Sequence, residues 1–147
     1  MIGRHALVAV IIAAGLGAGF WWTGPNGKDV ESNAGSKSRT GVAMADVSIP
    51  KMFSTNAELG KLAFDAKCAV CHGANAAGQD GVAPPLVHKI YEPSHHGDAA
   101  FLLAAKNGVR AHHWRFGNMP PVEGVTDGDV KMIVAYIREL QRANGIN

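Results

Sequence analysis

The chain has 147 residues, enough for one domain, and carries 14 basic against 12 acidic residues for a formal charge of +2. From residue 51 onward the count is 10 Lys and Arg against 9 Asp and Glu, so nothing in the charge balance points to nucleic acid as a partner. Only two cysteines are present, which excludes a disulfide-rich scaffold, while seven histidines are more than a plain helical domain needs.

The chain opens MIGRHALVAVIIAAGLGAGFWWTG. Arg4 supplies a positive start, and the 17 residues from Ala6 to Trp22 are uncharged and almost wholly apolar. An uncleaved membrane anchor needs about 17–25 such residues and favours aromatic rings at the water interface, which Trp21-Trp22 would provide. A cleaved signal peptide is the alternative, but Gly15-Leu16-Gly17 and Gly17-Ala18-Gly19 are poor matches to the preferred alanine pattern. Residues 1–22 are therefore expected to be a signal anchor that exports the remainder of the chain to the periplasmic side of a membrane. Residues 23–50 are rich in Gly, Ser, Asn and charge without apolar periodicity, the composition of a flexible linker. Such a linker would span about 30 Å on average and about 95 Å fully extended.

From residue 51 the pattern becomes that of a folded domain, 51–147. Thr55-Asn56-Ala57-Glu58 fits a capping box, and Leu59, Leu62, Ala63 and Ala66 come next at helical spacing, with Phe64 beside them. This first helix is expected to stop at or just before Cys68. A second is expected over Asp98–Lys106, ended by Asn107-Gly108. A third begins with the box-like Thr126-Asp127-Gly128-Asp129, carries the stripe Val130, Ile133, Val134, Ile137 and Leu140, and ends near Arg142. The expected fold class is all-α: about three main helices with long loops. Three short helices bury a modest core, and the segments 73–93 and 108–125 are too long to be idle connections, so something must fill the middle.

Cys68-Ala69-Val70-Cys71-His72 offers the means. A structural zinc site needs four ligands and only one cysteine pair exists. A redox dithiol of the thioredoxin kind belongs at a strand end in an α/β pattern, and no such strand is evident. A disulfide across two residues closes too small a loop to stabilise much. C-x-x-C-H is also the attachment sequence for c-type haem, in which both thiols form thioethers and the adjacent histidine faces the iron. That reading accounts for every unusual residue in the stretch and supplies the missing core.

Around this motif the segment from Ser54 to Gln141 resembles the class I c-type cytochromes, small monohaem electron carriers. Gly60 and Phe64 resemble the glycine–aromatic pair where the family's first helix crosses its last, and Tyr136 resembles the aromatic that meets them. Ala83-Pro84-Pro85-Leu86 resembles the family's proline–leucine segment, and Asn118-Met119-Pro120-Pro121 its methionine loop. The resemblance implies a cytochrome c fold around one covalent haem c, bound by Cys68 and Cys71, with His72 as proximal iron ligand. The His72 ring would donate to the carbonyl of Pro84, with Pro85 as the second candidate. Met119 is the expected sixth ligand, because it alone of the five methionines sits in a loop stiffened by Gly117 and two prolines. The alternatives at that position are a histidine or no protein ligand.

Two histidine pairs depart from a plain carrier. His95-His96 and His112-His113 could form an accessory metal site, since imidazole suits copper, or simply make hydrogen bonds. Trp114 and Phe116 are expected to pack on the haem or anchor the loop, and Arg110 and Arg115 are candidates to pair with its propionates. The resemblance implies a one-electron carrier, not an enzyme, tethered by its N-terminal helix. Its expected partners are a quinol-oxidising cytochrome complex as donor and a terminal oxidase as acceptor. The alternative is a haem subunit serving a dehydrogenase or reductase chain.

Overall fold

A computed structural model of the chain describes residues 40–147. The expected anchor and residues 23–39 of the expected linker lie outside the described residues. The rest is all-α: four helices, two single 3₁₀ turns, and no strand among the described residues beyond isolated bridges.

Helix α1, Thr55–Lys67, starts differently from expectation. Its N-cap is Ser54, whose Oγ accepts from the Ala57 amide, and the Thr55–Glu58 box does not form. Ser54 wins because its Oγ–H and backbone N–H both donate to Glu139, at 2.7 and 3.1 Å, tying the start of α1 to the last helix. The buried face also differs. It is Ala57, Gly60 and Phe64, while Leu59 and Leu62 are exposed at 45% and 67%. The reason lies in the crossing: a methyl group on Gly60 would stand 1.8 Å from the Met132 carbonyl oxygen, so the backbones touch where only glycine fits.

The chain then makes one short turn of helix, α2 (Ala69–His72), over the cysteine motif. Helix α3, Asp98–Asn107, ends at Gly108, which takes φ +74°. Helix α4, Asp127–Ala143, is capped as its sequence demands: the Thr126 side chain accepts from the Asp129 amide, and the Asp129 carboxylate accepts from the Thr126 amide. Hydrogen bonding to Thr126 holds the Asp129 carboxyl below its ordinary range.

The core is the α1–α4 contact. Phe64, Tyr136, Ile137 and Leu140 are fully buried, each contributing about 1.5–3 kcal/mol of apolar burial. The Tyr136 ring lies between those of Phe53 and Phe64, at centroid distances of 5.3 and 5.6 Å, and its hydroxyl donates to Asn75 Oδ1. Arg138 is buried too, on the face that the apolar stripe shares. Its Nε donates to Asp98 Oδ1 at 2.8 Å, its Nη1 to Tyr91 O and Gln141 Oε1, and its Nη2 to His96 O. One side chain thus fastens the 88–97 loop and the start of α3 to α4.

The ordered domain reaches further back than the expected boundary at residue 51. The amides of Gly41, Met44 and Ala45 donate to the carbonyls of Asp80 and Ala77, and the Ser48 amide donates to Asn144 Oδ1. Residues 41–48, read from composition as linker, are docked because these backbone pairings and the packing of Val47 on the core hold them there.

Candidate functional site

The cysteine turn is built by backbone pairing. The amides of Cys71 and His72 donate to the Cys68 carbonyl, and that of Gly73 to Ala69 O. Below the turn, Gln79 Nε2 lies within hydrogen-bonding range of three of its carbonyls, those of Ala69, Val70 and Cys71, at 3.3, 2.9 and 3.1 Å. Gln79 therefore caps the Val70 and Cys71 carbonyls, which a one-turn helix leaves open, and adds to the bond that Ala69 O already accepts. Sequence reasoning missed it, because a glutamine in a loop carries no periodic signal.

The two thiols are not bonded to each other. Cys71 is exposed, whereas burial, reinforced by the neighbouring Cys71, pushes the Cys68 thiol up to about 11. His72 is buried, and its Nδ1 donates to Pro84 O at 2.9 Å, leaving Nε2 as the ring nitrogen with a lone pair. Burial holds His72 below the ordinary imidazole range, and the bond to Pro84 offsets this only in part. A neutral imidazole oriented through a backbone carbonyl is what a metal ligand requires. The proline segment is pressed into place from behind. Gly78, at φ +72°, approaches so closely that a Cβ would lie 2.4 Å from the Pro85 nitrogen.

The 108–122 loop forms another wall of the site. Its neck is closed by paired backbone hydrogen bonds between Val109 and Met119, both 2.9 Å, and by the Val122 amide donating to Ala105 O. Asn118 Oδ1 accepts from the Ala111 amide inside the loop. Met119 is thus held by its own backbone rather than by proline stiffness alone.

Between these walls lies a cavity of about 530 Å³. Cys68, Cys71, His72, Pro84 and Met119 all line it, together with Phe64, Leu86, Phe101, Val130, Ile133 and Ile137 from the helices and their connections. Trp114 and Phe116, stacked at 5.8 Å, line it from the loop, as do His96, His112 and His113, whereas Arg110 and Arg115 do not. The Trp114 Nε1–H is buried without a partner in hydrogen-bonding geometry; burial raises the Tyr91 hydroxyl, and the proximity of the Trp114 donor offsets this in part.

These residues fit a covalent haem. The volume lies in the range of cofactor pockets, the walls are apolar, and two unpaired thiols and a neutral imidazole face the same space. The unpaired Trp114 donor at the wall suits an acidic group on the cofactor's edge. Cys68 and Cys71 would hold the haem covalently, and His72 Nε2 would ligate its iron.

Four imidazoles gather beside the cavity. His95, His96 and His113 place ring nitrogens within 4.8 Å of one another, and the His112 ring lies 4.2 Å from that of His113. His113 is held below the ordinary imidazole range, first by lost hydration and then by the other three rings.

The model of the family described as cytochrome c matches residues 57–141, more than half of the chain. No curated protein matches it significantly. With the CxxCH turn at the mouth of an apolar cavity and an all-α frame around it, the chain belongs to the cytochrome c family, whose members carry electrons on a covalently attached haem c.

Proposed function

We propose that this protein is a membrane-tethered, class I monohaem cytochrome c. In this reading it passes single electrons from a quinol-oxidising cytochrome complex to a terminal oxidase on the periplasmic side of the membrane. The observation that carries the electron-carrier reading is that His72 and Met119 line the same apolar cavity, His72 tied through its ring to the Pro84 carbonyl and Met119 through its backbone to Val109. Haem c supplies a one-electron iron couple there. The residues supply the rest. His72 keeps its imidazole neutral and oriented through Pro84, and Gln79 fixes the turn that carries the thiols. The bridge between Val109 and Met119 limits how far the loop can open, so that a weak thioether ligand can stay bound. Were His72 and Met119 both to ligate the iron of a bound haem, substrate would find no open position there, which favours a carrier over an enzyme. The apolar walls exclude water and so reduce reorganisation when charge changes.

The tether rests on the apolar run from Ala6 to Trp22 and on Arg4 before it. Among the described residues no helix is long and apolar enough to cross a membrane. A tether would confine encounters to the membrane surface and raise the effective concentration of membrane partners.

Oxidised and reduced absorption spectra of the exported protein, repeated under carbon monoxide, test the carrier reading. Low-spin c-type bands with a methionine–iron signature, unmoved by the gas, are expected; a spectrum shifted by the gas would mean an open sixth position and a sensor or enzyme. Membrane fractionation tests the tether. A haem protein released by salt alone would remove it, and stable co-purification with a catalytic chain would replace the mobile carrier by a dehydrogenase or reductase subunit.

A further inference from the structure

We infer that His95, His96 and His113 form a binding site for one divalent late-transition-metal ion of the Zn(II) or Cu(II) class, separate from the haem iron. The fold brings the residues together from two segments. His95 and His96 sit on the turn before α3, where both amides donate to Glu92 O, and His113 comes from the methionine loop. Each offers a ring nitrogen, and all three nitrogens lie within 4.8 Å of one another. Ligands around a tetrahedral ion with bonds of about 2.0–2.1 Å stand about 3.4 Å apart. Closing that difference takes small rotations of His95 and His113, both of which are exposed.

His96 is the fixed member. Its Nδ1 donates to Ile90 O at 2.7 Å, which leaves Nε2 as the donor atom for a metal, and its own carbonyl is gripped by Arg138. A metal-binding histidine typically has its second ring nitrogen tied to a carbonyl in this way. His112 is arranged alike, with Nδ1 donating to Arg110 O at 2.8 Å, and stands beside His113 as a potential fourth ligand. A donor set made wholly of imidazole selects the ion. Calcium and magnesium demand oxygen ligands, whereas neutral imidazole nitrogen suits zinc, copper and nickel, with copper the tightest.

The site does not depend on the electron-carrier reading, since its ligands lie outside the set assigned to the iron, and its test is read by metal binding alone. The haem-loaded, full-length protein is washed with chelator and titrated with Zn(II) by calorimetry, then with Cu(II) by electron paramagnetic resonance. One ion per chain is expected, with a Cu(II) signal split by at least three nitrogens. His95→Ala and His113→Ala should each weaken Zn(II) binding by about 10- to 100-fold or more, and His95→Ala, whose ring does not line the haem cavity, should leave the haem bands and helical circular dichroism unchanged. Absence of binding, binding unmoved by both substitutions, or a Cu(II) signal with oxygen ligands only would overturn the site. If a variant misfolds, the nitrogen splitting in the unsubstituted protein decides alone.

Discussion

Gly60 and Met132 meet backbone to backbone: the space where a Gly60 side chain would begin is taken by the Met132 carbonyl, whose oxygen would be 1.8 Å and carbon 2.4 Å from an added Cβ. Neither atom belongs to a flexible side chain, so the helices themselves would have to part. Gly60→Ala is therefore expected to destabilise the haem-loaded protein by about 3 kcal/mol, despite alanine's better helix propensity. Chemical denaturation followed by circular dichroism measures it, and an unchanged midpoint would mean that α1 and α4 do not cross this closely.

Arg138 holds a loop by its carbonyls. Replacing it with leucine leaves His96 O without its donor and releases Gln141 Oε1, while Asp98, whose side chain is 69% exposed, loses little. The expected loss is about 3 kcal/mol, mostly from desolvated acceptors left unpaired. Hydrogen exchange should show faster opening of residues 88–97 than of the α1–α4 core.

Without the haem, the cavity of about 530 Å³ would have to collapse or stay empty. Engineered cavities near 150 Å³ already cost up to about 5 kcal/mol, a large part of a domain's stability. Cys68→Ser combined with Cys71→Ser is expected to give a chain with weak helical signal and no cooperative melt. A sharp thermal transition in that variant would show that the helices suffice.

Met119→Ala removes the one thioether held at the cavity by the 109–119 bridge. The ferrous variant is expected to bind carbon monoxide and to lose the methionine–iron absorption, at little cost to the fold. Unchanged spectra would pass the sixth position to a histidine.

Tyr136 carries a pH prediction. Burial, with a smaller contribution from Asp65, pushes its phenol up to about 12 from an ordinary value of 10. The fold thus favours the neutral form. Its contribution is fully present below the unfolded value and is lost as pH rises from about 10 through about 12. Carbon-labelled tyrosine resonances should show residue 136 ionising only as the protein unfolds. Tyr136→Phe should be less stable at neutral pH, through the lost bond to Asn75, yet lose less on going alkaline.

Local chemistry by itself determined a good part of this protein. The CAVCH turn is five contiguous residues, and α4 carries both a cap and an apolar stripe that no neighbour contradicts, so both were legible in order along the chain. Positions 138 and 141 lie on that stripe by helical spacing, and the burial of Arg138 and Gln141 was open to the same reading had polarity not hidden it. The face of α1 was not legible, because close approach at Gly60, a property of two helices together, turned Leu59 and Leu62 outward. The docking of residues 41–48 depends on carbonyls more than thirty positions away, and composition knows nothing of such partners. Met119 could be picked out by its prolines, but the bridge that holds it required the end of α3 to lie beside it. The histidine pairs show the division most plainly. Each pair is visible as sequence, yet only the folding of two loops over one cavity brings His95 and His96 within reach of His113, since convergence of side chains 17 or more residues apart is decided by packing.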